Sequence, residues 1–561
     1  MNLDINFLTN GSNITETISI KNDILVTSIN HIVNAQTGEP TSLLSLNTNA
    51  TSSNIECIAR QLHEHYAGDC AFIIRKKNDF AVLRPAFSEF SIFYKKKRDT
   101  IKFWTGSLPP QEILQTTTKL NQSYLAAWLH NQSTLSSQTG LLDIFEIVSG
   151  STLFFTNNEF HLVDYLTELL ATTNLKNKSS FEEDSQSIGT LISNSIAHKT
   201  MGLNGKYSLE CSGGIDSSVV AVAACDLHRG SPQSLLHGYS PNSFDTSEIY
   251  FFETVANHIR GSKILVDTGS SSLLPTLSTE LLAPSLRPCK MFSTIETTSR
   301  LFLAAQRAGS KVVLSGDGGD QLFLRLRRRA LTRELTFECN TLFEKIRMLS
   351  HLASHDRLSI WDVVHELIHG DTSKSMRRRL FDSHKPSSNI LSCRSNHEMI
   401  DPIPNIHLIK HLPISAAFQF IGIRNAELNY ANIKNCLTNE RKVFLFWPLI
   451  RAAISAQRKN HIQNGMDRAL ERHAFKELLP DAVFYRAGKG GGLDILNRFD
   501  YQSIGTSLFD STLCKIGLIS PDKLQSALRQ PIEHEAALSI ASAKALSDWI
   551  DTIEGAAIES H

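Results

Sequence analysis

Between an apolar strand, Tyr207–Cys211, and an apolar helix beginning near Ser217 lies the run Ser212-Gly213-Gly214-Ile215-Asp216-Ser217. Paired glycines let a backbone approach an anion with no Cβ in the way. The helix N-terminus that follows offers unpaired N–H groups and the positive end of a dipole. The hydroxyls of Ser212, Ser217 and Ser218 can add donors. Asp216 is a poor partner for phosphate alone, but it suits a Mg²⁺ ion that bridges phosphate oxygens. The Gly-Lys-Ser/Thr ending of a Walker loop is missing, so transfer of a γ-phosphate is not the expected chemistry. The pattern fits a loop that holds the pyrophosphate of ATP while a carboxylate is adenylated and pyrophosphate leaves.

A second run, Ser315-Gly316-Asp317-Gly318-Gly319-Asp320, follows the short apolar stretch Lys311–Leu314. Ligands of open α/β sheets bind at the C-terminal edge of the strands, where such a turn would sit. Asp320 is expected to be the second Mg²⁺ ligand beside Asp216. Ser315 and Gly316 are expected to line the nucleotide site, and Asp317 to face the reacting groups.

The elements around the two loops divide the chain. The first part is β-rich: Cys70–Ile74, Phe80–Leu83, Phe90–Tyr94 and Ile101–Trp104 read as strands, with Lys95–Thr100 as a charged hairpin tip. Leu120–His130 has helical spacing, and Thr152–Thr156 and Glu159–Leu162 flank Asn157-Asn158 as a hairpin. Residues 173–186 are polar and charged and read as a linker between a domain over 1–172 and another over 187–561. Beyond it a helix at Ser187–Ala197, strands at Tyr207–Cys211, Leu235–Tyr239, Ile264–Val266 and Val312–Leu314, and helices from Ser217 and Ser247 alternate. Alternation of this kind predicts an α/β fold with a parallel sheet. The remainder from Leu331 reads as mostly helical.

The two loops resemble those of the asparagine synthetase superfamily, which read Ser-Gly-Gly-x-Asp-Ser and Ser-Gly-x-Gly-x-Asp. The segment Asp467–Gly492 is similar to the family's late segment, in which Leu-Pro precedes Arg-x-x-Lys; here these are Leu479-Pro480, Arg486 and Lys489. Glu440–Ile450 is weakly similar to an Arg-x-Pro-Phe-Leu-Asp helix entry and lacks its terminal Asp. Ala67–Phe72 and Arg84–Tyr94 look like core strands of the family's glutaminase-type domain. The resemblance implies an N-terminal αββα sandwich of the N-terminal-nucleophile type ahead of a pyrophosphate-loop α/β synthetase domain. It implies ATP and Mg²⁺ as cofactors and Lys489 as the group that stabilises charge on the intermediate. A working glutaminase domain needs an N-terminal Cys as nucleophile. The sequence given starts Met1-Asn2, and neither Cys57 nor Cys70 carries a terminal amine, so ammonia release from glutamine is not expected.

Within the superfamily, Asp317 stands where asparagine synthetases have Glu and β-lactam synthetase has a catalytic Tyr. The Gly-Gly-Asp ending, the length and the missing nucleophile are most similar to lasso peptide cyclases. That branch implies an AMP-forming carbon–nitrogen ligase that adenylates an Asp or Glu side chain of a precursor peptide and joins it to the peptide's N-terminal amine. Its expected partners are the precursor peptide, a leader-binding protein and a leader peptidase. Asparagine synthetase-like or β-lactam synthetase-like amide synthesis on a small molecule is the alternative. Asp317 is then expected to act as base or amine-orienting group. Glu427 could pair with it, although a structural role for Glu427 is preferred.

Bulk properties exclude other classes. The 561 residues carry 56 basic and 56 acidic side chains, which leaves no electrostatic footprint for nucleic acid. The nine cysteines are scattered and never spaced C-x-x-C, as expected of reduced thiols in a cytoplasmic protein. No apolar run approaches a membrane span, and the N-terminus has no secretory pattern. The basic runs Arg325–Arg329 and Arg377–Arg379 read as solvated faces, and His237 as structural.

Overall fold

A computed structural model describes residues 5–8, 14–20, 24–43, 54–97, 100–106, 113, 119–131, 136–172, 179–228, 232, 234–239, 247–268, 281–290, 294–323, 331–369, 390, 405–429, 433–486, 499–529 and 532–558.

The N-terminal part is built on two sheets. The first has six antiparallel strands in the order Glu159–Asp164, Ser151–Thr156, Asp79–Arg84, Ala71–Lys76, Ile24–Ile29, Ile14–Ile20. The second has four, in the order Ile5–Leu8, Thr100–Thr105, Ile92–Lys97, Ile144–Ile147. Side chains alternate across a strand, so each sheet has two apolar faces to cover. Ile73, Val82 and Phe155 of one sheet share a core with Ile101, Phe103 and Ile147 of the other. Phe80 meets Phe103 edge-on, with ring centroids 6.2 Å apart. On the outer face of the first sheet the helix Ile55–His65 packs Ile58 and Leu62 near Phe72 and Leu83. Phe93 and Trp104, on the outer face of the second, pack with the helix Gln122–Asn131. The layers therefore run helix, sheet, sheet, helix.

The hairpin at Asn157-Asn158 forms as expected. Both residues are left-handed (φ 53° and 65°), which Asn tolerates and a tight hairpin turn requires. The expected tip Lys95–Thr100 is narrower than read: Lys95, Lys96 and Lys97 remain in register with Lys102, Ile101 and Thr100, and 98–99 lie outside the described residues. The strands at Ile5–Leu8, Ile14–Ile20 and Ile24–Ile29 extend the two sheets beyond the elements read from the sequence.

The stretch expected as a linker, 173–186, is helical from Phe181 onward, within a 20-residue helix Phe181–Thr200. The cause is local. Ser180 accepts from the Glu183 N–H while Glu183 accepts from the Ser180 N–H, a capping box, and three acidic residues stabilise the first turn. Over 180–186 the polar composition is the N-terminus of a helix, and 173–178 lie outside the described residues.

In the C-terminal part all five strands of one sheet are parallel, in the order Lys263–Asp267, Ser234–Tyr239, Tyr207–Glu210, Val312–Ser315, Asn439–Lys442. The α/β class and the parallel sheet agree with the sequence reading. From the centre the chain winds outward through Ser234–Tyr239 and Lys263–Asp267, then crosses to the other side for the last two strands. That reversal falls between Tyr207–Glu210 and Val312–Ser315, the position at which doubly wound sheets open a crevice. The helix Ile215–His228 is buried along Ile215–Ala224, consistent with its almost wholly apolar middle. The last helix, His534–Ile558, reaches back so that Trp549 and Ile550 share a core with Trp104 and Trp128. No helix among the described residues is long and apolar enough to cross a membrane.

Candidate active site

Both glycine-rich loops leave adjacent strands at the crevice, and glycines let them touch. A Cβ on Gly316 would lie 2.9 Å from the Ser217 nitrogen, and one on Gly319 would lie 2.8 Å from Asp216 Cγ. Gly318 is left-handed (φ +98°) and turns the second loop into the short helix Gly319–Leu322. Gly213 is left-handed too (φ +71°), but its missing Cβ serves packing rather than anion approach. A Cβ there would fall 2.6 Å from the Phe252 nitrogen in the helix Ser247–His258. Gly214 is the open one, with only Ser212 Oγ nearby at 3.2 Å.

The serines are partly spent on the loop itself. Ser217 Oγ accepts from the Ser212 N–H and donates to the Gly214 carbonyl, both at 3.2 Å. Ser212 Oγ accepts from the Gly214 N–H at 3.3 Å. This fixes the curvature of the loop and leaves the N-terminal N–H groups of Ile215–His228 as anion donors.

Asp216 and Asp320 are drawn together by a cationic side chain of the protein itself. Arg468 Nη1 stands 3.2 Å from both Asp216 oxygens and 3.0 Å from Asp320 Oδ1. Two carboxylates aimed at one point suit Mg²⁺, which takes one or two carboxylates and completes its shell with phosphate and water. Among the described residues there is no group of three or more His, Cys, Asp or Glu that could hold a metal ion. Next to Asp216, Glu471 is fully buried, and desolvation together with the Asp216 charge pushes its carboxyl well above the ordinary range.

The segment after Arg468 is wound around one guanidinium. The buried Arg472 donates to the carbonyls of Asp467 (2.9 Å), Phe484 (2.5 Å) and Arg486 (3.0 Å). This sets Arg486, whose Nη1 donates to the Gly213 carbonyl at 2.8 Å and whose guanidinium lies 4.1 Å from the Phe251 ring centre. The Arg of the Arg-x-x-Lys pattern thus braces the first loop. Lys489 and the glycines after it lie outside the described residues, as do Arg325–Arg329 and Arg377–Arg379.

Asp317 turns away from Asp320. Its Oδ2 is 3.2 Å from Lys442 Nζ and accepts from Asn429 Nδ2 at 3.3 Å. Lys442 stands opposite Ser315 in the sheet register. Beside it, Ser315 Oγ donates to Glu440 Oε1 at 2.5 Å, and desolvation pushes the Glu440 carboxyl up to about 7. Lys290, near enough to feel the Asp317 charge, is drawn down by burial to about 8. Glu427 does not pair with Asp317; it bonds Arg424 at 2.6 Å and lies 3.9 Å from Arg84, a structural role. His237 is structural too, 3.1 Å from the Cys211 carbonyl and stacked on Phe252.

Arg468, Glu471, Glu440, Lys442 and Lys290 were not reached by sequence reasoning. Each is a single charged residue far in sequence from the loops. The available signals were the positions of Arg468 and Glu471 inside the segment Asp467–Gly492 and of Glu440 and Lys442 inside Glu440–Ile450.

A comparison with curated proteins finds no match. Residues 190–403, which contain both loops and four of the five parallel strands, match the family model described as asparagine synthase, and this supports a relation of that stretch to the asparagine synthetase superfamily.

Proposed function

We propose that the protein is an AMP-forming ligase that closes a macrolactam in a precursor peptide, in the manner of lasso peptide cyclases. The observation that carries ATP cleavage at the α-phosphate is the glycine-rich loop Ser212–Ser217 opening a helix at the sheet's crevice, where Arg468 draws Asp216 and Asp320 together. Support for the peptide branch is narrower and rests on Gly318-Gly319-Asp320 and on Asp317 at the branch-distinguishing position.

On this reading the first loop holds the departing pyrophosphate through Gly214, Ser212 and the helix N-terminus, with Arg486 fixing the loop from behind. Mg²⁺, when bound by Asp216 and Asp320, neutralises charge on the phosphates. An Asp or Glu side chain of the peptide becomes the acyl-adenylate. The peptide's N-terminal amine must lose a proton before it attacks. Asp317, held by Lys442 and Asn429, orients that amine, and Lys290 stands near it. Lys489 stabilises the oxyanion as AMP leaves. The helix–sheet–sheet–helix order of the N-terminal part supports a glutaminase-like domain. Its Cys70 is buried, which pushes the thiol pKa up and disfavours the thiolate. A leader-binding protein and a peptidase complete the proposed machinery, in the cytoplasm.

The test is incubation of the full chain with ATP, Mg²⁺ and peptides that carry a free N-terminus and an internal Asp or Glu. Loss of one water from the peptide, matched by AMP, is expected. AMP formation with free amino acids only would leave a small-molecule amide synthetase as the reading.

A further inference from the structure

The N-terminal part reaches the second loop through buried charges. Asp69 and Glu89 lie where it meets the parallel sheet. The Lys199 ammonium, 1% exposed at the end of the helix Phe181–Thr200, donates to Asp69 Oδ2 at 2.8 Å and stands 3.3 Å from Glu89 Oε1. Asp69 Oδ1 accepts from the Glu89 N–H at 2.8 Å, and the Asp69 N–H donates to His198 Nε2 at 3.0 Å. Glu89 then spans the boundary: its Oε1 accepts from the backbone N–H of Lys442 at 2.8 Å.

That N–H has a particular place in the sheet. Asn439–Lys442 is an outer strand, paired with Val312–Ser315 on one side only. The Val443 N–H points inward and donates to the Ser315 carbonyl at 3.2 Å. The Lys442 N–H points the other way, off the sheet, and Glu89 takes it. The Lys442 side chain runs to Asp317. Its ammonium donates to the carbonyls of Ala426 and Asn429, at the end of the helix Ile414–Glu427, and stands 3.2 Å from Asp317 Oδ2. Three donors meet three acceptors, so Lys442 fastens Asp317 and is not free to bind a ligand.

We propose that Glu89 is a positioning residue of the synthetase site: by holding the backbone of Lys442 it sets the Asp317 carboxylate, so the N-terminal part is a working component of the site. This rests on the reading of Asp317 as the amine-orienting group; the connection from Glu89 to the loop can be tested without it. The arrangement joins a rigid element to a reacting group through supporting hydrogen bonds, and loss of such support reads out in geometry before it reads out in folding.

Amide hydrogen exchange of the full chain, without substrate, is the first measurement. Glu89→Ala is expected to speed exchange about tenfold in peptides covering 315–322 and 440–445, with peptides over 207–228 unchanged. Glu89→Gln, which keeps an acceptor for the Lys442 N–H, is expected to restore most of the protection at 440–445. Unchanged exchange at 315–322 in Glu89→Ala overturns the proposal, and so does faster exchange across the whole chain, because that is a fold defect. The second measurement compares acceptors in the peptide reaction. Hydroxylamine needs no oriented amine, so Glu89→Ala is expected to keep hydroxamate formation within about twofold while amide formation falls about tenfold or more. An equal fall in both overturns the catalytic part. A wild-type chain that makes neither product sinks the ligase reading and leaves the exchange result standing.

Discussion

At the scale of residues, the chemistry was legible where it is written as a contiguous run and hidden where it is assembled from afar. Ser212–Ser217 and Ser315–Asp320 combine glycines, hydroxyls and carboxylates within six positions each, and the structure brings Asp216 and Asp320 together. Arg468 joins them from some 250 positions away in the case of Asp216, marked only by its place in the segment Asp467–Gly492. The glycines were legible as glycines but not as to cause: the crowding at Gly213 comes from Phe251 and Phe252, on a helix whose docking the sequence does not disclose. Asp216→Ala is expected to cut ATP-to-AMP turnover by about 10²-fold or more, as loss of a preorganised charge at the reacting phosphates does. Steady-state AMP release measures it, and intact turnover would remove Asp216 from the site. Gly213→Ala combines a left-handed backbone with a 2.6 Å clash. It should cost about 1–3 kcal/mol of stability in urea melts, with a larger loss in nucleotide binding.

At the scale of elements, period and turn chemistry announced most of the strands and helices around the loops. The parallel strands Ser234–Tyr239 and Val312–Ser315 are apolar because both faces are covered. Asn439–Lys442 escaped notice because it consists of Asn, Glu, Arg and Lys. It is a strand because its register with Val312–Ser315 and its ion pairs satisfy it, both of them tertiary effects. The strand also carries a pH signature. Desolvation lifts Glu440 from its ordinary 4.5 to about 7, so between those values the folded chain binds more protons than the unfolded one. Its contribution is full below pH 4.5 and is lost as pH rises through 7, with a slope of at most about 1.4 kcal/mol per pH unit. Glu440→Gln is expected to flatten that decline when urea midpoints are compared across the range. An unchanged slope would mean that Glu440 is ionised in the folded state.

At the scale of the whole molecule, two sheets and a doubly wound sheet are joined by charge as well as by apolar area. Glu146 of the N-terminal part takes Arg84 at 2.7 Å and pairs with Arg287, while Arg424 donates to Ser149 at 2.7 Å. Composition gave no hint of this, since a neutral total says nothing about where charges meet. Glu146→Ala removes the buried carboxylate that Arg84 and Arg287 share and should cost about 3–5 kcal/mol. Calorimetry is expected to show two separated transitions if the pairing is what unites the two parts, and one lowered transition if the apolar contacts between them suffice. The outer strand Asn439–Lys442 has one more consequence, which concerns the order of synthesis. Domains made first fold first as the chain leaves the ribosome. Glu89 is therefore in place long before Lys442 is translated, and the last strand of the parallel sheet is added against a surface already waiting for it. A bare strand edge is a template for pairing with other chains. Here Glu89, translated before Lys442, covers an outward N–H of the sheet's last-made strand.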